Sequence, residues 1–179
     1  MSVNQKLTKD EYGKDVDPSL YRSIIGNLLY LIASRPDISF SVGVCARYQA
    51  TPKESHLKVV KRIIKYVHGT AEYEICYSKD SNSHLTGYSD ADWTGNIDDR
   101  ERTSGGCFYL GNKLVTWYSK KQSSISLSIA EAKYIAAGSS ESFQQESSDA
   151  AQKIKRSLNF LSSRSTDPIG DMTHTTNRE

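Results

Sequence analysis

The hydrophobic period of this chain changes once, at Gly69-Thr70, and that change limits what it can fold into. Before it, apolar residues recur three and four apart, as on one face of a helix. After it they alternate, as on one face of a strand. The chain therefore reads as α+β.

The helical part has local start and stop signals. Asp17-Pro18-Ser19 is a helix start, because proline tolerates the first turn and Asp17 can cap it. Leu20, Ile24, Leu28 and Leu31 follow at helical spacing. Arg35-Pro36 ends that helix, since the residue before proline disfavours the α region. A second helix is predicted over 37–48 with Ile38, Val42 and Cys45 inward. A third runs from Lys53 to His68, with Gly69 as its stop. Residues 1–17 are polar and without period, and read as a loose tail.

The third helix has two faces. Leu57, Val60, Ile64 and Val67 form an apolar stripe, and Lys58, Lys61, Arg62 and Lys65 share another face. Two readings fit the basic stripe: a solubilising surface, or a contact for nucleic-acid phosphates.

Beyond Thr70, Tyr73–Ser78 is strand-like. Leu85–Trp93 alternates, with Leu85, Gly87, Ser89, Ala91 and Trp93 on one face and Thr86, Tyr88, Asp90 and Asp92 on the other. Cys107–Leu110 and Leu114–Tyr118 are further strands, joined through a type II′ turn at Gly111-Asn112. Gly105-Gly106 marks a bulge or a close backbone approach. Ser128-Ile129-Ala130-Glu131 is a capping box opening a helix. Gly138 weakens that helix, and a polar helical pattern continues over 141–158. Residues 160–179 are rich in Ser, Thr and Asp and read as disordered.

The chain has 179 residues, enough for one domain or two small ones. The longest apolar run, Ile24–Ala33, is interrupted by Gly26 and Asn27 and falls short of the roughly 20 residues of a membrane span. Met1–Glu11 has no apolar signal core. Cys45, Cys76 and Cys107 are far apart in sequence, so no disulfide partners are expected and a reducing compartment, cytoplasmic or nuclear, fits. The net charge of +2 hides a block structure: residues 1–70 carry 11 Lys and Arg against 6 Asp and Glu, and residues 71–110 carry 3 against 8. A basic block beside an acidic one suggests a polyanion surface next to a carboxylate cluster, and ordinary solvated surface fits equally.

Asp90 on a strand and Glu131 in the first turn of a helix would converge if that helix packed across the sheet. Two such carboxylates can hold Mg²⁺. Glu131 is also explained by the capping box alone.

The run Tyr21-Arg22-Ser23-Ile24-Ile25-Gly26-Asn27-Leu28-Leu29-Tyr30-Leu31, followed by Ser34-Arg35-Pro36-Asp37-Ile38, resembles the end of the reverse transcriptase of copia-type retrotransposon polyproteins. So does His56–Thr70. The segment Gly87-Tyr88-Ser89-Asp90-Ala91-Asp92-Trp93, with Asp99-Arg100 and Thr103-Ser104-Gly105, is similar to the start of that family's ribonuclease H domain. Trp117–Ser123 and Leu127–Tyr134 continue it.

The resemblance implies a helical, thumb-like end of the polymerase over 10–80, a partial ribonuclease H-like β-β-β-α unit over 83–140, and a divergent helix with a disordered tail over 141–179. It implies Asp90 and Glu131 as catalytic metal ligands, Mg²⁺ as cofactor, and an RNA–DNA hybrid as partner, hydrolysed on its RNA strand. It assigns nucleic-acid contact to Lys58, Lys61, Arg62 and Lys65, with Lys120 and Lys121 added as a further basic pair. The chain departs from the pattern in three places. No Tyr-x-Asp-Asp of a polymerase site occurs. Lys133 stands where the family commonly has Glu. After Ser140 the family's later metal carboxylates have no counterpart, so the expected product is a truncated, catalytically incomplete unit. The alternative is a non-catalytic module that binds nucleic acid or protein.

Overall fold

In a computed structural model of the chain, the described residues are 7–77, 84–92, 102–124, 126 and 128–164. The element order is helices α1 (Pro18–Leu31), α2 (Ser39–Ala46) and α3 (Glu54–Gly69), strands β1 (Leu85–Asp92), β2 (Thr103–Leu110) and β3 (Lys113–Lys121), then helix α4 (Ile129–Arg164).

The three helices bury one core of Tyr21, Ile25, Leu28, Ile38, Val42, Cys45, Val60 and Ile63. Asp17 caps α1 by accepting from the Ser19 amide at 3.0 Å. Within that core the Tyr21 hydroxyl donates to the Cys45 carbonyl at 3.0 Å. Burial pushes the Cys45 thiol up to about 12. The predicted inward stripes shift by one residue in two helices. Leu20 is half exposed and Tyr21 faces the core; Ile64 is 43% exposed and Ile63 is buried.

The phase of α3 shifts because a polar residue takes a core position. His56 is fully buried. Its Nδ1 accepts from the Lys53 amide at 3.0 Å, so its Nε2 carries the proton and donates to the Thr8 carbonyl at 2.7 Å. Its ring stacks on Tyr48 at 4.2 Å, and the Tyr48 hydroxyl donates to the Leu7 carbonyl. Residues 7–17 are thus tied down rather than loose. Val16 N–H bonds the Pro52 carbonyl, and Glu54 N–H bonds the Lys14 carbonyl.

A second polar anchor closes the corner between α1 and α3. Arg35 grips Asp37 through two hydrogen bonds of 3.0 and 2.7 Å, and reaches the Thr70 carbonyl and hydroxyl at 3.2 and 2.6 Å. The guanidinium holds the Asp37 carboxyl below the usual carboxylate range.

The strands form one antiparallel sheet in the order β1-β2-β3. Gly111 at the hairpin has φ 61°, as the first position of a type II′ turn requires. The register shift lies at Phe108/Tyr109, not at Gly105-Gly106. Gly106 instead marks a close approach, since a Cβ there would collide with the Tyr118 ring. Described residues 73–77 add no strand. Tyr77 packs on the sheet core and donates to the Leu114 carbonyl at 2.8 Å.

Helix α4 packs across one face of the sheet. Ala132 and Ala136 meet Ala91, and Ala151 meets Phe108 and Val115. The helix is continuous for 36 residues. It therefore passes through Gly138 without a break and runs into the segment read as disordered; residues 165–179 lie outside the described set. The helical part joins the sheet's opposite face, where the Trp117 indole donates to the Ile32 carbonyl at 2.9 Å and Arg47 donates to the Thr103 hydroxyl. No described helix is long and apolar enough to cross a membrane.

The start of α4 is held by Ser128, whose hydroxyl accepts from the Glu131 amide, and by buried Gln122, whose amide donates to Ser104 Oγ at 2.8 Å and to the Ala132 carbonyl at 3.1 Å. Ser128→Ala is expected to cost about 1 kcal/mol, as for other lost caps. Gln122→Ala is expected to cost about 1–3 kcal/mol, because it leaves buried groups unpaired. Urea unfolding of both variants checks the order. The Cys45 thiol stays protonated in the folded chain up to about 12, whereas an exposed thiol ionises near 9.0. The unfolded chain then binds fewer protons, so stability falls as pH rises through this window. Unfolding measured at pH about 8 and about 10 is expected to show a shallower alkaline loss in Cys45→Ala.

Candidate nucleic-acid interface

Three structural positions carry the candidate chemistry: α3, the end of β3, and the seam between β1 and α4. On α3, Lys58, Lys61, Arg62 and Lys65 are all exposed, while His56, Val60 and Ile63 face the core. A helix rises 1.5 Å per residue, so these four cations span about 10 Å of one side. Lys58 lies 3.7 Å from Glu54, an exposed pair of the kind that contributes little to stability. Lys58 and Arg62 also line a cavity of about 190 Å³ with Leu7, Thr8, Asp10 and Ser55. The N-terminal segment thus forms one bank of the basic stripe.

Lys120 and Lys121 are exposed at the end of β3. Successive strand residues point to opposite faces, so the two lysines do not form one patch. Lys121 pairs in register with Thr103, on the face that receives the helical part.

Asp90 is exposed on β1 and lies on the same face as its register partner Gly105. It lines an open groove of about 490 Å³. The other walls are Phe40 of α2, Ala91, Thr103 and Gly105 of the sheet, and Ile129 and Lys133 of α4. Glu131 is exposed in the first turn of α4 and is not part of this lining. The reason is helical phase. Ile129 and Lys133 are four apart and share a face, and Glu131, midway between them, lies about 180° around the helix from their mean direction. The structure therefore brings Asp90 together with an ammonium, Lys133, rather than with the second carboxylate.

Divalent magnesium takes hard oxygen ligands in near-octahedral geometry. Among the described side chains, one carboxylate sharing a groove with an ammonium does not supply that donor set. Among the described residues, no group of three or more His, Cys, Asp or Glu could hold a metal ion. Asp98 and Asp99 lie outside the described residues. Among the described side chains, the groove offers a cation and an aromatic wall beside one carboxylate. Phe40, Thr103 and Ile129 were not among the residues singled out from sequence. Phe40 enters only because α2 docks on the sheet, a long-range contact with no local signal. Ile129 and Lys133 share the i, i+4 spacing that marks a helix face, and only the packing shows which face it is.

The chain resembles known proteins over most of its length. It is 40% identical over 134 residues to the retrovirus-related Pol polyprotein from transposon RE2 of Arabidopsis thaliana, and 41% identical over 134 residues to that from transposon RE1 of the same plant. Each match covers 75% of this chain and 9% of the polyprotein, so the chain spans about a tenth of the length of these relatives. It is also 38% identical over 117 residues to secreted RxLR effector protein 161 of Plasmopara viticola, covering 65% of this chain and 82% of that protein. No protein-family profile matches the chain, and no solved structure does. With the copia-type motifs running in order through α1, α3, β1 and the start of α4, the chain belongs to the copia-type, retrovirus-related Pol polyproteins of transposons.

Proposed function

We propose that this chain is a nucleic-acid-gripping segment of a copia-type Pol polyprotein, with an RNA–DNA hybrid as its ligand and little or no hydrolysis of its own. One observation carries the reading: α3 commits one face to the core and presents Lys58, Lys61, Arg62 and Lys65 from an exposed side. Exposed cations at this spacing are suited to neighbouring phosphates, and phosphate contact releases condensed counterions. Recognition by this route follows hybrid shape and the 2′-hydroxyl rather than base sequence. The ribonuclease H-like character of the sheet and α4 belongs to this reading through the family. Asp90 and Glu131 are the family's candidate ligands for Mg²⁺.

The expected behaviour is salt-dependent binding. Fluorescence anisotropy with a labelled hybrid is expected to give a log K against log salt slope of about 0.9 for each phosphate contacted. Lys61→Glu with Lys65→Glu is expected to lower that slope by about 2, at unchanged thermal stability, since both residues are exposed. Binding that is absent or insensitive to salt would sink the proposal. A separate assay addresses hydrolysis. The labelled hybrid in Mg²⁺ is expected to stay intact. Cleavage abolished by both Asp90→Asn and Glu131→Gln would show an active nuclease instead.

A further inference from the structure

We infer that Lys133 is the resident cation of the Asp90 groove, and that this groove takes an anionic phosphodiester without a divalent metal. The inference deepens the hybrid-binding proposal above by naming how a second part of the molecule meets the ligand. Its geometry stands on the fold alone.

Asp90 and Lys133 line the same open groove, reached from a strand and a helix that are fixed relative to each other. What fixes them is the contact of Ala132 and Ala136 with Ala91, together with the Gln122 hydrogen bond to the Ala132 carbonyl. Ala132 is 1% exposed, so the residue just before Lys133 cannot rotate away from the sheet without uncovering the seam. Lys133 itself is exposed and, among the described residues, is in no ion pair. Its ammonium is therefore available to a ligand entering the groove. Half-exposed Phe40 supplies an aromatic wall on which a sugar or base can rest.

Both charges line this groove. An incoming phosphate meets an ammonium there as well as Asp90, and an incoming divalent cation meets the same ammonium as a repulsion. A positive charge sharing the groove with a carboxylate lowers the affinity of a second cation for it. The sign of the charge at 133 thus decides between metal and phosphate. Glu131 does not reverse this, because helical phase turns it away from the groove.

The test uses the full chain and a spin-active ion, Mn²⁺, followed by electron paramagnetic resonance with no nucleic acid present. The wild-type chain is expected to show no Mn²⁺ site that depends on Asp90. Lys133→Glu is expected to gain such a site, and the Asp90→Asn, Lys133→Glu double variant to lose it again. An Asp90-dependent Mn²⁺ site in the wild type would overturn the inference, as would the absence of any gain in Lys133→Glu with its fold intact by circular dichroism. Lys133→Gln serves as the neutral control and is expected to bind no Mn²⁺. A second arm measures hybrid affinity at matched ionic strength. Wild-type binding is expected to be the same in Mg²⁺ and in EDTA, and Lys133→Gln is expected to weaken it about fivefold in EDTA, the size of one exposed ion contact. Unchanged affinity in Lys133→Gln would remove the phosphate half of the inference. Failure of the wild type to bind any hybrid would instead count against the proposed function, and the Mn²⁺ arm would still decide the charge assignment.

Discussion

The contents of the Asp90 groove depend on how closely α4 can lie against β1, and three alanines set that distance. Ala91, Ala132 and Ala136 are all buried at the seam. A larger side chain at any of them would lift the helix from the sheet. The same contact fixes rotation. Each residue along a helix turns the wheel by about 100°. With Ala132 and Ala136 against the strand, Ile129 and Lys133 come to the groove rim and Glu131 goes to the far side. The capping residue Ser128 and the buried Gln122 amide then lock that phase at the first turn. The character of the groove, with one carboxylate and one ammonium among the described side chains, is therefore a consequence of small-residue packing.

The basic stripe on α3 depends on a similar constraint at the other end of the molecule. A helix with a strong polar face has no preferred rotation until its buried face is specified. Here His56 specifies it with three partners: the Lys53 amide, the Thr8 carbonyl and the Tyr48 ring. The imidazole is buried at no net polar cost because both ring nitrogens are satisfied. Val60 and Ile63 continue the same side. The cations then have one direction left, outward and beside the strapped N-terminal segment. The sheet and the helical part are joined by Trp117 and Arg47, which tie them at Ile32 and Thr103.

Much of this was readable in the sequence where a signal is local. Asp17, Ser128 and Gly111 act within a few residues of themselves, and each sits where its chemistry predicts. The copia-type motifs placed Asp90 on its strand and Glu131 at its helix start. The failures are non-local. A histidine in a core position breaks the apolar pattern, so Ile64 was read inward in place of Ile63. The segment 7–17 carries little apolar surface; it is held by backbone bonds to Pro52 and Glu54 that leave no trace in composition. Gly138 weakens a helix in isolation, but α4 has Phe143, Ala151 and Ile154 against the sheet to hold it. The groove was half legible. Asp90 stood out as a residue type, and its neighbours Phe40, Thr103 and Lys133 come from three other elements that meet only in the folded chain.

Arg35 deserves a last thought as a measuring device. Its planar fork reaches Asp37, two residues away, and Thr70, the residue just beyond α3. Inserting or deleting one residue inside α3 would swing Thr70 by about 100° and move it by about 1.5 Å along the axis. The guanidinium would then lose half of its partners. The corner thereby registers the length of α3, and with it the number of turns over which the cations of that helix can be displayed.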